Sequence, residues 1–324
     1  MAQAVRIHKT GGPEVLGIET VDVGAPGPGE ARVRNTAVGV NYIDTYHRSG
    51  LYPLPLPSGL GTEGAGVVEA VGAGVTDIKP GDRVAYCVGP VGAYASERVM
   101  PADRLVKLPE GIGERTAAAM MLKGLTVQYL FRQTYRLSQG ETILFHAAAG
   151  GVGLIACQWA RALGVTMIGT VGSDAKAELA KAHGCAHTIV YTRENFVDRV
   201  KEITGGKGVP VVYDSVGKDT FPASLDCLAP RGLFVSFGSS SGPIAAFNLG
   251  MLGPKGSLYA TRPTLFTYAA KRADLLAMSD EMFGLVREGK IEADARQTFA
   301  LKDAADAHRA LESRATTGAT LLIP

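Results

Sequence analysis

The residues best placed to support chemistry are three small ones, Ala148, Gly150 and Gly153, in the run TILFHAAAGGVG at residues 142–153. Residues 142–145 are apolar and β-branched, as in a buried parallel strand, and helical spacing resumes from Leu154. The spacing is that of the dinucleotide fingerprint G-x-G-x-x-G with Ala148 in the first place. Ala148 is expected to permit the sharp turn, Gly150 to let backbone approach a pyrophosphate, and Gly153 to let helix pack on strand. With Gly151 and Val152 they open a helix whose free N–H groups face an anion. A glycine-rich strand-to-helix turn also occurs as plain structure, so its neighbours decide. A second apolar run follows at 166–171, ending in Gly172, Ser173, Asp174 and Lys176. An enzyme selective for NAD would place a carboxylate here to hold the ribose diol. Gly172 and Ser173 instead leave room for a phosphate and Lys176 can neutralise it, while Asp174 is read as a helix cap. The expected cofactor is NADPH.

The elements that position these residues follow from the patterning. Before about residue 108, short β-type runs at 3–7, 30–40, 64–71, 82–86 and 95–100 alternate with Gly and Pro turns, which indicates a barrel-like all-β unit. Residues 114–134 read as helix. Strands are then expected at 142–145, 166–171, 188–191, 209–213, 233–237 and 257–261, with helices at 153–163, 175–183, 196–203 and 220–227, the rhythm of a doubly wound sheet. A helix at 268–288 leads to a tail expected to return to the first unit.

The 324 residues suffice for two domains, and 33 basic against 31 acidic side chains give no basic stripe for nucleic acid. The four cysteines, 87, 157, 185 and 227, form no C-x-x-C pair and are read as buried thiols. No apolar run is long enough to span a membrane, and the N-terminus lacks an apolar signal region. A cytoplasmic protein acting on a small molecule is expected.

Several motifs carry a resemblance over essentially the whole chain: GTEGAGVVEAVGAGV (61–75), KPGDRV (79–84), HAAAGGVG (146–153), VVYDSVG (211–217), SFGSSSG (236–242), SLYATRP (257–263) and LESRATTG (311–318). The chain resembles the medium-chain dehydrogenase/reductase superfamily, and within it the zinc-free, zeta-crystallin-like NADPH:quinone oxidoreductases. The resemblance implies an α/β fold: a GroES-like β-barrel catalytic domain from residues 1–124 and 263–324, and a Rossmann domain at 125–262 with a six-stranded parallel sheet. It also implies a cleft between them and a homodimer through the Rossmann domain. The activity implied is reduction of a quinone by hydride or electron transfer. Reduction of an enone double bond is the alternative, and a nucleotide- or RNA-binding scaffold is a more distant one.

Where zinc-dependent members carry a cysteine and a histidine ligand, this chain has Asn41 and Thr62. Neither is a good zinc ligand, so no metal is expected. The resemblance sets Asn41 and Tyr42 beside the nicotinamide and ribose, makes Tyr46 a hydrogen-bond donor to substrate, and places Lys123 and Thr126 at the nicotinamide end. Tyr191 and Arg314 complete the 2′-phosphate site in similar enzymes, and Phe237, Gly238, Ser239 and Arg262 flank the nicotinamide. Other polar residues have plainer readings. Asp44 and His47 are expected to be solvated surface groups, His146 a satisfied core histidine and Trp159 packing. Glu63 either caps a helix or orients polar groups.

Overall fold

The computed structural model describes residues 1–293 and 295–324. The chain divides into two compact units, one of Met1–Leu125, Tyr268–Gly289 and Ala293–Pro324, the other of Thr126–Thr267 and Lys290–Glu292. The second unit thus reaches past residue 262. Its short return segment is pinned by Gln158, whose side-chain amide donates to Glu292 O at 2.9 Å and accepts from Glu292 N at 2.8 Å.

The Rossmann unit holds six parallel strands in the order His187–Val190, Thr166–Val171, Thr142–Phe145, Val209–Asp214, Leu228–Ser236, Tyr259–Thr261. The order reverses between Thr142–Phe145 and Val209–Asp214, and at such a switch point the C-terminal strand ends open into a binding crevice. The strands read as apolar runs because helices cover both faces, and Leu144, Ile168, Ile189, Val212 and Phe234 form one buried cluster. Helix Phe196–Ile203 lies where its periodicity predicts, capped by Asn195 Oδ1, which accepts from Val197 N at 2.9 Å. The helix expected at 220–227 is instead a 3-10 segment, Ala223–Cys227. Pro222 disfavours helical geometry at the preceding Phe221, so the helical turn begins only after it.

The other unit is built on a seven-stranded sheet and a three-stranded one. Its centre is the long strand Glu30–Val40, which pairs antiparallel with Glu63–Val71, with Glu97–Pro101 and with the C-terminal strand Ala319–Ile323. Val33, Val38, Val68, Val84, Leu105, Leu301 and Leu322 share its core. Two helices here were not expected, Tyr42–Ser49 and Ala304–Glu312. The helix expected at 114–134 is α-helical over Glu114–Tyr129 and widens to a π turn at Leu130–Thr134. That expected at 268–288 is α-helical over Arg272–Arg287, after a separate short helix, Leu265–Tyr268.

Candidate active site

In the Rossmann unit the fingerprint lies between strand Thr142–Phe145 and helix Gly151–Ala162, with Gly150 as N-cap. The left-handed residue is Ala147, at φ 59°, so Ala147 and not Ala148 makes the tight turn. Ala148 has another constraint: its methyl fits because Gly169 of the next strand has no side chain, and a Cβ there would come within 2.6 Å of it. Gly153 must be bare, since a Cβ would lie 2.4 Å from Ala147 O and 2.5 Å from Ala148 O. At Gly150 a Cβ would meet only Ala147 O, at 3.3 Å. Packing therefore forbids any side chain at Gly153, whereas at Gly150 a Cβ meets one tight backbone contact and is otherwise unopposed. The N–H groups of Gly151, Val152 and Gly153 have no intrahelical acceptors and face the same end.

His146, immediately before this turn, is fully buried, its ring nitrogens 2.9 Å from Thr170 Oγ1 and 3.0 Å from Ser224 Oγ. Burial lowers its pKa, and a neutral imidazole with both nitrogens partnered is structural. Trp159 is likewise packed in the core.

At the end of strand Thr166–Val171, Ser173 caps helix Asp174–Ala182, its Oγ accepting from Lys176 N at 3.4 Å. The cap is Ser173 and not Asp174, whose carboxylate is instead held by Arg193. Tyr191 is half exposed, its hydroxyl 2.9 Å from where a Gly172 Cβ would stand. On the other side of the switch point, Phe237 N donates to Asp214 O at 2.8 Å, and its ring packs 5.5 Å from that of Phe145. Arg262 braces the same turn, donating to Gly238 O at 2.8 Å and reaching Ser239 Oγ at 3.4 Å. Thr126 is a buried residue of this unit.

Lys123 and Arg314 belong to the other unit. Lys123 is buried with its Nζ 2.8 Å from Glu63 Oε2. The fully buried Glu63 carboxylate also accepts from Asn41 Nδ2 at 2.8 Å and Leu122 N at 2.7 Å. Gly39 makes room for it, since a Cβ there would meet Glu63 Oε2 at 2.1 Å. Glu63 thus orients polar groups, fixing the Asn41 amide and the Lys123 ammonium around one oxygen. Arg314 sits in a left-handed turn, φ 60°, just past helix Ala304–Glu312.

Asn41 precedes helix Tyr42–Ser49, which carries the tyrosines. Tyr42 donates to Leu311 O at 3.1 Å, and Tyr46 packs edge-on to Tyr52 with centroids 5.3 Å apart. Asp44 and His47 are buried, contrary to the expectation of solvation. Asp44 Oδ2 accepts from Asn41 N at 2.8 Å, the reverse half of a capping box, and from the Tyr94 hydroxyl at 2.9 Å. That hydroxyl lies 3.0 Å from His308 Nε2, and His308 Nδ1 lies 2.9 Å from Arg48 Nη1, which pairs with Glu312. Because Arg48 only donates, Nδ1 must accept, so His308 carries its proton on Nε2 and donates to Tyr94. Burial, with Arg48 nearby, depresses the His308 pKa to about 3 and keeps the ring neutral. Burial pushes the Asp44 carboxyl up to about 7, the hydrogen bonds from Asn41 and Tyr94 opposing it only in part.

Asp44 left a trace in the sequence, since Asn at one position and Asp three later is a capping-box spacing. His308, Arg48 and Arg193 left none.

Two family models match the chain: the alcohol dehydrogenase GroES-like domain over residues 27–110 and the zinc-binding dehydrogenase domain over 151–271. Fold and site together define a nicotinamide-dependent oxidoreductase of the medium-chain dehydrogenase/reductase superfamily. The quinone oxidoreductase of Pseudomonas aeruginosa is 61% identical over 325 residues, all of both chains. A 2-haloacrylate reductase from a Burkholderia species is 48% identical, over 100% of this chain and 99% of its own. A crystal structure of Escherichia coli quinone oxidoreductase complexed with NADPH superposes with a TM-score of 0.98 at 55% identity, over 99% of this chain and 100% of that one. The chain belongs to the quinone oxidoreductase family of this superfamily. The zinc in one family model's description does not fit the donor set here. Among the described residues no three His, Cys, Asp or Glu side chains are grouped to hold a metal. The carboxylate beside Asn41 already binds an ammonium ion, which would repel a second cation.

Proposed function

We propose that this chain reduces quinones with NADPH, without a metal. The observation that carries the reading is the full-length 61% identity to a quinone oxidoreductase, on a chain whose fingerprint turn presents the bare backbone of Gly150 before a helix N-terminus. Bound NADPH supplies hydride from C4 of its nicotinamide. The N–H groups of Gly151, Val152 and Gly153 take the pyrophosphate, with Ala148 and Gly150 shaping the cradle. Ser173, Lys176 and Tyr191 take the 2′-phosphate. Phe237, Gly238, Ser239 and Arg262 line the nicotinamide side with Thr126. Asn41 and Lys123, held by Glu63, present fixed donors to the cofactor and substrate, Tyr42 covers the ribose, and Tyr46 donates a hydrogen bond to the substrate oxygen. These groups orient and polarise, and no covalent nucleophile is involved.

The second reading, reduction of the double bond of an α,β-unsaturated carbonyl, is favoured by the 2-haloacrylate reductase at 48% identity. Loss of NADPH absorbance with a simple benzoquinone, set against an enone, separates the two. Oxidation with the enone alone would transfer the assignment, and tight binding without turnover on either would favour a scaffold role.

A homodimer is supported by strand Tyr259–Thr261, which ends the sheet with Tyr259 62% exposed, an edge a second copy can extend. A monomer by light scattering at micromolar concentration would overturn it. No helix among the described residues is long and apolar enough to cross a membrane, and the four cysteines are free. The buried, unpaired thiols support a cytoplasmic location.

A further inference from the structure

Strands Thr166–Val171 and His187–Val190 are parallel neighbours, so the turns that follow them lie side by side. They are tied together: Thr192 Oγ1 donates to Gly172 O at 3.4 Å, and the Tyr191 hydroxyl lies over Gly172. On this platform Arg193 grips Asp174 with two bonds, Nη1 to Oδ2 at 2.7 Å and Nη2 to Oδ1 at 2.5 Å. Arg193 holds the Asp174 carboxyl below the usual carboxylate range, so it is ionised at neutral pH. The other nearby acid, Glu194, is engaged elsewhere, accepting from Val190 N at 2.8 Å and pairing with Arg199 at 3.1 Å.

Asp174 therefore sits between Ser173 and Lys176 as a charge of the wrong sign for a phosphate. A free carboxylate at the end of this strand is also the group that holds a ribose diol in NAD-selective enzymes. We infer that Arg193 determines cofactor preference by occupying both oxygens of Asp174, cancelling its charge and denying it to a diol. The inference rests on the proposed reading that Ser173 and Lys176 face the 2′-phosphate. A forked guanidinium suits this task because it engages both oxygens at once, whereas a lysine engages one.

A double-mutant cycle on the full-length protein tests it, with binding of NADPH, NADH, adenosine 2′,5′-bisphosphate and AMP followed by fluorescence or calorimetry. Arg193→Gln is expected to weaken NADPH by about 5- to 30-fold, the effect of one exposed charge near a doubly charged phosphate. NADH should hold or tighten. In an Asp174→Asn background the same change should cost under about 2-fold, because the charge that Arg193 cancels is gone. Equal losses in both backgrounds would mean that Arg193 acts directly on the phosphate, and would overturn the inference alone. A wild type that binds AMP as tightly as adenosine 2′,5′-bisphosphate would overturn the phosphate site beneath it.

Discussion

The Lys123 ammonium and the Glu63 carboxylate meet at 2.8 Å with side chains 5% and 0% exposed, so each is the other's buried counter-charge. Lys123→Met leaves the buried Glu63 carboxylate with its Asn41 and Leu122 hydrogen bonds but no counter-charge, and should cost about 3–5 kcal/mol in urea denaturation. Adding Glu63→Gln should recover much of that loss. Additive costs would show the pair to be independent.

Activity should survive exhaustive chelation, because the Asn41 and Thr62 positions offer no zinc ligands. Stoichiometric zinc by metal analysis, with turnover lost on its removal and regained on its return, would contradict this.

The two fingerprint glycines should separate binding from folding. Gly150→Val is expected to abolish NADPH binding with a smaller loss of melting temperature than Gly153→Ala, since a Cβ there crowds only Ala147 O, at 3.3 Å. Gly153→Ala drives a methyl into two carbonyl oxygens and should cost about 1–3 kcal/mol of stability.

Tyr46→Phe should lower quinone turnover by about 10-fold, the worth of one hydrogen bond, and leave NADPH affinity unchanged. Unaltered kinetics would reduce Tyr46 to its packing against Tyr52.

Asp44 makes stability depend on pH in an unusual direction. Its carboxyl, raised to about 7 from 3.8, keeps its proton in the folded state where the unfolded chain has lost it. Its contribution is therefore full below pH 3.8 and is lost as pH rises to about 7. Asp44→Asn should remove that decline, so that the variant gains on wild type by up to a few kcal/mol between those limits. His308 acts oppositely: its pKa, depressed to about 3, removes stability as pH falls below 6.5. Unfolding curves for wild type and Asp44→Asn at pH 4 and pH 8 isolate the Asp44 part, and parallel pH profiles would refute it.

What the sequence by itself determined was most of the strand and helix pattern of the Rossmann unit, which is encoded over short distances, although the helices Tyr42–Ser49 and Ala304–Glu312 escaped it. Residues 142–145 and 166–171 are strands where their apolar, β-branched runs lie, and the doubly wound order follows from the alternation of period. Ala148, Gly150 and Gly153 mark a tight strand-to-helix turn because spacing along one junction is itself the geometry. Even there, the tertiary structure decided which residue bends, Ala147, and why Ala148 is small, since Gly169 lies across from it on another strand. The polar clusters were settled only by the fold. Glu63 and Lys123 are 60 residues apart, Tyr94 and His308 are 214 apart, and Asp174 and Arg193 lie on turns after different strands. A charged side chain looks the same in sequence whether water or a partner will receive it. Asp44 and His47 read as surface groups until packing closed over them, because burial is a property of what other segments bring, not of the residue.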